Sequence, residues 1–336
     1  MSSPLISVLD QSPVSEGMIA GDALHNTLDL AQAADHLGFY RYWLAEHHGL
    51  SLSGPSPEVL AGPVAAATEK IRVGSGGVML PHYSPFKVAE NFSLLAGLYP
   101  GRIDLAIGRA SGTDPITTFA LQRDRRQAAP GDFPQQLLEL LAYFRKQLPE
   151  DHPFWRLQSS LPGGDQQPEC WLLGSSAQSA IWAKEIGLRY AFADFINSEG
   201  AEITRSYRNG FEASADLDAP HSMVGLWVMC APTTEEAREL AASIQMSMLM
   251  LRRGTPIKVP PVAEAVDFLR AEGREPGVSR RRRMIVGDPA VVREGIERAI
   301  EEYRADEAIV VTIAHDHDAR KRSYELIAKE FGLSSR

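Results

Sequence analysis

Eight short apolar runs, separated almost everywhere by stretches with helical spacing, limit what this chain can fold into more than any other feature of it. They are Leu5 to Asp10, Tyr40 to Ala45, Ile71 to Val78, Arg102 to Ile107, Glu169 to Leu173, Arg189 to Phe195, Ser222 to Cys230 and Ala308 to Ala314. Each is largely apolar on both faces, as parallel strands are when helices cover them. Regular alternation over 336 residues predicts either a (β/α)8 barrel with insertions or a doubly wound sheet, and the count of eight favours the barrel. The intervening segments carry helix punctuation. Leu24, Leu28, Ala31 and Ala34 follow Asp22, an expected N-cap, and stop at Gly38. Thr233 is expected to cap a helix with Glu235 and Glu236 in its first turn. The reading is one domain over 1–336, with insertions at about 110–133, 150–167 and 250–283; the Pro- and Gly-rich stretch from Gly254 to Val278 is expected to be mobile.

Composition narrows the partners. A net charge of -9 argues against nucleic acid, and Arg280 to Arg283 is a local exception that reads as a solvated face or an anion clamp. No apolar run approaches the roughly 20 residues needed to span a bilayer. The first residues, MSSPLISVLDQSP, lack the pattern of a secretory leader, so a cytoplasmic protein is expected. Cys170 and Cys230 both sit in apolar strand-like runs, where two buried thiols in a reducing compartment, or a bridge between them, would fit.

In a barrel the active site lies at the C-terminal ends of the strands. Those ends read Asp10, Glu46-His47-His48, Gly76-Gly77, Gly108-Arg109, Gly174-Ser175-Ser176, Asp194 and His315. A strand ending in two glycines lets a flat ligand approach the backbone, and Arg109 sets a permanent cation beside that surface. Gly174 to Ser179 lies where a strand turns into a helix. The unpaired first-turn amides there, with the hydroxyls of Ser176 and Ser179, would suit a phosphate; plain N-capping by Ser175 or Ser176 fits the same residues. His47 and His48 should point to opposite sides, one of them into the barrel mouth. Adjacent strand residues cannot converge on one ion, so no metal is expected at Glu46 to His48. In His315-Asp316-His317-Asp318 the acids are explained as first-turn helix acids.

Four motifs in order carry a resemblance: LAEHH (44–48), IRVGSGGVMLPHYSP (71–85), YPGRIDLAIGRASGTD (99–114) and LLGSSAQSA (172–180). With them the chain resembles the bacterial luciferase-like monooxygenases, non-luminous members in particular. The resemblance implies an FMN-binding barrel, usually a homodimer, that receives reduced FMN from a separate flavin reductase. It implies reaction with O2 through a C4a-hydroperoxyflavin to oxidise a small organic substrate such as an aldehyde or ketone. It assigns catalysis to His47, a cis peptide bond against the flavin to Gly76-Gly77, and the FMN phosphate to Arg109, Ser176 and Ser179. Ser111, Gly174 and Ser175 complete the expected cofactor-binding set. Gly108 stands where the luciferases carry a reactive cysteine. Two other readings stay open: an F420-dependent oxidoreductase on the same barrel, and a flavin-binding protein without catalysis.

Overall fold

The computed structural model describes residues 4–109, 113–126, 131–279 and 283–334. Its strands are β1 (Leu5–Asp10), β2 (Arg41–Leu44), β3 (Arg72–Met79), β4 (Ile103–Gly108), β5 (Glu169–Gly174), β6 (Arg189–Ala193), β7 (Ser222–Cys230), β8 (Ile285–Gly287) and β9 (Glu307–Val311). Parallel pairing runs from β1 through β6; β6 then pairs with β7, β7 with β9, and β9 with β1, so eight strands close on themselves. Helices surround this barrel, as the alternation predicts. β8 is not one of the eight. It pairs with the far half of β7, Val228 opposite Ile285, and three residues are too few to stand out as a strand in the sequence.

Strand alternation sorts the apolar side chains into two layers. Val8, Tyr42, Leu44, Leu105, Leu172, Tyr190, Phe192, Leu226 and Val310 face the helices. Leu9, Trp43, Ala106, Trp171, Ala191, Met223, Trp227 and Ile309 face inward and fill the barrel. Trp43 and Trp171 meet edge to face across the interior with ring centroids 5.4 Å apart, an arrangement favoured by their opposed quadrupoles. The middle of the barrel is therefore a packed core.

Its lower end is closed by charge. Arg41, 2% exposed, bonds Asp104 at 2.8 Å, Glu169 at 2.7 Å and Glu307 at 2.9 Å. Arg72 reaches the other Asp104 oxygen at 2.5 Å, His221 lies 2.8 Å from Glu307, and Trp43 donates its indole N–H to Asp104 at 2.9 Å. Five strands and the residue before β7 thus meet at one guanidinium. Burial pushes the Glu307 carboxyl up, but the His221 bond and Arg41 outweigh it and hold the group below the usual range. The same balance, struck with Arg41, Arg72 and Arg189, lowers Glu169.

Several helix starts match the sequence and one does not. Thr233 accepts the Glu236 N–H, and Asp288 accepts from Ala290 and Val291. The first helix begins at Ala20 rather than after Asp22; Asp22 sits inside its first turn and accepts the Ile19 N–H at 3.0 Å. A carboxylate there satisfies an orphan donor as well as a cap would. The three expected insertions hold a helix Pro115–Leu121, a 3-10 turn Trp155–Ser159 and a helix Val262–Ala271. In the last, Ala265, Val266 and Leu269 pack against Ala242 and Met246. Cys170 and Cys230 are buried and free. Among the described residues no helix is long and apolar enough to cross a membrane.

The floor generates two predictions. Glu307→Ala strands Arg41 with too few partners and should cost ~3–5 kcal/mol, the range for breaking a buried ion pair, measured by urea unfolding. Because the folded Glu307 and Glu169 carboxyls lie below their unfolded values, their contribution is complete above about pH 4.3 and is lost as pH falls through the folded values. Acid unfolding of the wild type should accordingly be steeper below pH 4.3 than that of Glu307→Ala.

Candidate active site

Above the packed tryptophans the strand ends and the loops after them enclose about 860 Å³ of empty space, its mouth included. The walls are mostly apolar: Leu9, Ala45, Met79, Phe133, Leu172, Leu173, Ala193 and Phe195. Glu46, His47, Arg109, Ser175, Ser176 and Ser179 supply the polar groups. Apolar walls with a few convergent polar groups describe a small-molecule site, and it lies at the C-terminal ends of the strands, where a barrel places one.

Of the expected site residues, His47, Gly76, Arg109, Gly174, Ser175, Ser176 and Ser179 all line this one cavity. Ser111 lies outside the described residues. Gly77 is joined to Gly76 by a cis peptide bond. The barrel itself gives a further reason for the two glycines. A Cβ on Gly76 would come 2.6 Å from Leu9 Cδ1 and 3.0 Å from Trp43 Cβ, and one on Gly77 would come 2.7 Å from the Ala106 carbonyl oxygen. The barrel's own atoms exclude side chains at both positions.

Three of the strand-end residues belong to the scaffold instead. Asp10 is fully buried and bonded to Arg320 at 2.6 Å, the Tyr42 hydroxyl at 2.6 Å and the Ser12 N–H at 2.7 Å. Asp194 accepts from Tyr303 at 2.8 Å and faces Arg283 at 3.4 Å, in the helix layer. Arg283 also pairs with Glu302 at 2.7 Å, so the one described residue of the four-arginine run is tied to the barrel wall. His315 contacts the Glu16 carbonyl at 3.2 Å, while Asp316 caps the last helix and Asp318 lies in its first turn.

The strand-to-helix joint after Gly174 shows the N-cap and leaves room for the other reading. Ser176 is the N-cap of the helix Ala177–Ile186 and accepts the Ser179 N–H at 3.4 Å. Ser179 bonds the Ser176 carbonyl at 2.7 Å and the Tyr190 hydroxyl at 2.9 Å, so its only hydroxyl proton is engaged within the protein. That leaves the Ser176 hydroxyl and the first-turn amides able to receive an anion. Among the described residues no carboxylate pairs with Arg109; its guanidinium lies over the Trp182 ring, 5.5 Å from the centroid. Trp182 in turn packs on Phe133 at 5.2 Å. A stacked guanidinium keeps its hydrogen-bonding edge free for a phosphate. An apolar cavity, an uncompensated cation and a helix N-terminus together fit a phosphate-bearing planar cofactor.

The sequence reading placed Glu46 at a strand end but gave it no role; it is fully buried. It accepts the Met79 N–H at 2.8 Å and meets His48 Nε2 at 3.1 Å. Burial pushes its carboxyl up to about 7, against the Met79 bond, the His82 charge and a bond from Tyr83. A buried acid is unreadable where its neighbours come from other segments.

Residues 6–307 match the luciferase-like monooxygenase family. The uncharacterised protein YwcH of Bacillus subtilis (strain 168) is 46% identical over 333 residues, 97% of this chain and 98% of that one. The N-acetyl-S-alkylcysteine monooxygenase of the same organism is 36% identical over 327 residues, 96% and 97% of the two chains. Among solved structures, apo-MsnO8 superposes with a TM-score of 0.88 at 37% identity, covering 99% of both chains. At fold level alone the barrel is also that of the oxygenating constituent of 3,6-diketocamphane monooxygenase from the CAM plasmid of Pseudomonas putida, in complex with FMN. That comparison has a TM-score of 0.72 at 19% identity, covering 100% of this chain and 99% of that one. An F420-dependent secondary alcohol dehydrogenase shares the fold with a TM-score of 0.61 at 15% identity, covering 98% and 99%.

Packing at the strand-to-helix joint is tight enough to test. A Cβ on Gly174 would overlap the Ser179 side chain, so Gly174→Ala should destabilise by ~1–3 kcal/mol, the usual cost of overpacking. The urea midpoint of that variant against wild type gives the measurement.

Proposed function

The chain belongs to the luciferase-like monooxygenase family, and from that premise we propose that it is a flavin-dependent monooxygenase. It uses reduced FMN and O2 to oxidise a small organic substrate such as an aldehyde or ketone. The observation that carries this reading is the single cavity lined by His47, the uncompensated Arg109 and the capped helix start at Ser176. Arg109, the Ser176 hydroxyl and the helix amides would hold the FMN phosphate. The apolar wall and the backbone of Gly76 would take the ring. When bound, reduced FMN supplies the electrons and the activation of O2.

The chain's own residues then have three tasks. Met79, Leu172, Phe133 and Phe195 keep water from the reacting centre. Arg109, steadied by Trp182, fixes the cofactor's position. His47 moves a proton at the reacting oxygen, since imidazole exchanges protons near neutral pH. Its backbone N–H is held by the Gly54 carbonyl at 2.9 Å, which anchors it beneath the loop that follows β2.

A separate flavin reductase, a homodimer and a cytoplasmic setting complete the proposal. Exposed Val59, Leu94 and Leu98, on two helices packed together, support a second copy. Buried free thiols suit a reducing compartment. The relative that acts on an N-acetyl-S-alkylcysteine makes thioethers worth including beside aldehydes and ketones in a substrate screen.

Titration with FMN and with F420, oxidised and reduced, followed by mixing with O2 and product analysis, separates the readings. Binding of reduced FMN with oxygenated product is expected; binding of F420 alone would leave the fold and remove the oxygen chemistry. Arg109→Ala should weaken FMN by ~1.5–3 kcal/mol, the worth of a hydrogen bond to a charged group, and leave riboflavin, which has no phosphate, almost unchanged. His47→Ala should bind FMN normally but lose product formed per reduced flavin consumed. Retained yield would remove His47 from the chemistry.

A further inference from the structure

Glu46 is a buried carboxyl group without a guanidinium or ammonium beside it among the described residues. Asp104 and Glu307 are buried, and Glu169 half-buried, with Arg41 facing all three, and Asp10 is buried against Arg320. Glu46 has no lysine or arginine partner among the described residues; a histidine, a backbone N–H and the Tyr83 hydroxyl face it instead. An ionised carboxylate so placed is expensive, and such a group keeps its proton instead. It also lines the cavity beside His47.

Titratable groups face Glu46 from four segments. His47 and His48 follow it in the chain, and His48 Nε2 lies 3.1 Å from Glu46 Oε1. Glu58 faces it from the helix Pro57–Ala66, with an Oε2 that is buried and lacks a hydrogen bond. His82 and Tyr83 face it from the end of β3 onward: the His82 ring lies 6.1 Å from that of His48, and the Tyr83 hydroxyl donates to Glu46. Arg109 lines the same cavity. Burial pushes the Glu46 and Glu58 carboxyls up and the His48 imidazole down. All three shifts favour uncharged groups. The Glu46–His48 contact is therefore a place where a proton can be held and exchanged close to neutral pH. The His48 side chain is 12% exposed while that of Glu46 is 0%, so the contact leads from the cavity wall to solvent.

We propose that Glu46 is a second proton-handling residue of the cavity, distinct from His47, donating to the reacting oxygen and refilled from solvent through His48. This rests on the monooxygenase reading. In the step the Glu46 O–H bond breaks and its proton passes to an oxygen anion of the reacting group, leaving a carboxylate. His48 takes a proton from water to become imidazolium, passes it from Nε2 to that carboxylate, and returns to the neutral ring. No electrons move.

The test has one arm without cofactor and one with it. Carbon-13 NMR of labelled glutamate carboxyls, with Glu46→Gln identifying the resonance and Glu46→Asp in reserve if that variant does not fold, should find Glu46 titrating near 7. Since a raised folded value stabilises below the unfolded pKa and is lost as pH rises through it, wild type should lose stability relative to Glu46→Gln between pH 4.5 and about 7. With reduced FMN and O2, Glu46→Gln should bind flavin as wild type does and lose about 10²-fold in product formation, the lower range for general acid–base groups. Glu46→Asp should recover part of it with a shifted pH profile. A Glu46 that titrates in the ordinary range near 4.5, or a flavin-binding Glu46→Gln with full product yield, overturns the proposal. A wild type that binds no FMN overturns the monooxygenase reading instead, and the proton step with it, while the NMR result still decides whether Glu46 holds a proton.

Discussion

The cavity at the top of this barrel depends on a guanidinium at the bottom. Arg41 lies within hydrogen-bonding distance of acids on β4, β5 and β9, and each bond fixes the height of one strand against β2. A one-residue slip would turn every side chain of a strand to the other face. Slipping any of these strands would bury a carboxylate without its cation, a penalty of several kcal/mol. The tryptophans stacked on this floor fill the middle of the barrel, so the interior cannot accept a ligand. Free space is confined to the mouth.

Two kinds of buried carboxylate follow from this arrangement, and they have opposite chemistry. Asp10, Glu169 and Glu307 face arginines and stay ionised well into acid. They are scaffold. Glu46 and Asp194 are pushed up by burial, but only Glu46 lines the cavity. Asp194 keeps one bare oxygen in the helix layer beside Tyr303 and Arg283. Environment, more than residue type, separates a register pin from a proton carrier. Gly76 and Gly174 likewise look alike in sequence as ligand cradles, yet the structure packs Leu9 and Trp43 against one and Ser179 against the other.

The eight strands, their order and the cavity residues His47, Gly76, Arg109 and Gly174 to Ser176 were legible in the sequence. Parallel strands covered by helices leave a run of apolar residues, and a strand's C-terminal end is marked by where that run stops. Four motifs in order were enough to point to the family that the comparisons then matched. What sequence could not decide was which polar strand end turned inward. Asp10, Asp194 and His315 have the same local signature as His47. They are removed from the site by Arg320, Tyr303 and the Glu16 carbonyl; the first and last of these come from the opposite end of the chain, and Tyr303 lies 109 residues from Asp194. Local order therefore set the elements and the rim. Tertiary structure alone decided the ion floor, the engagement of Ser179 by Tyr190 and the burial of Glu46, because each is a contact between segments whose separation in sequence carries no trace of their meeting in space.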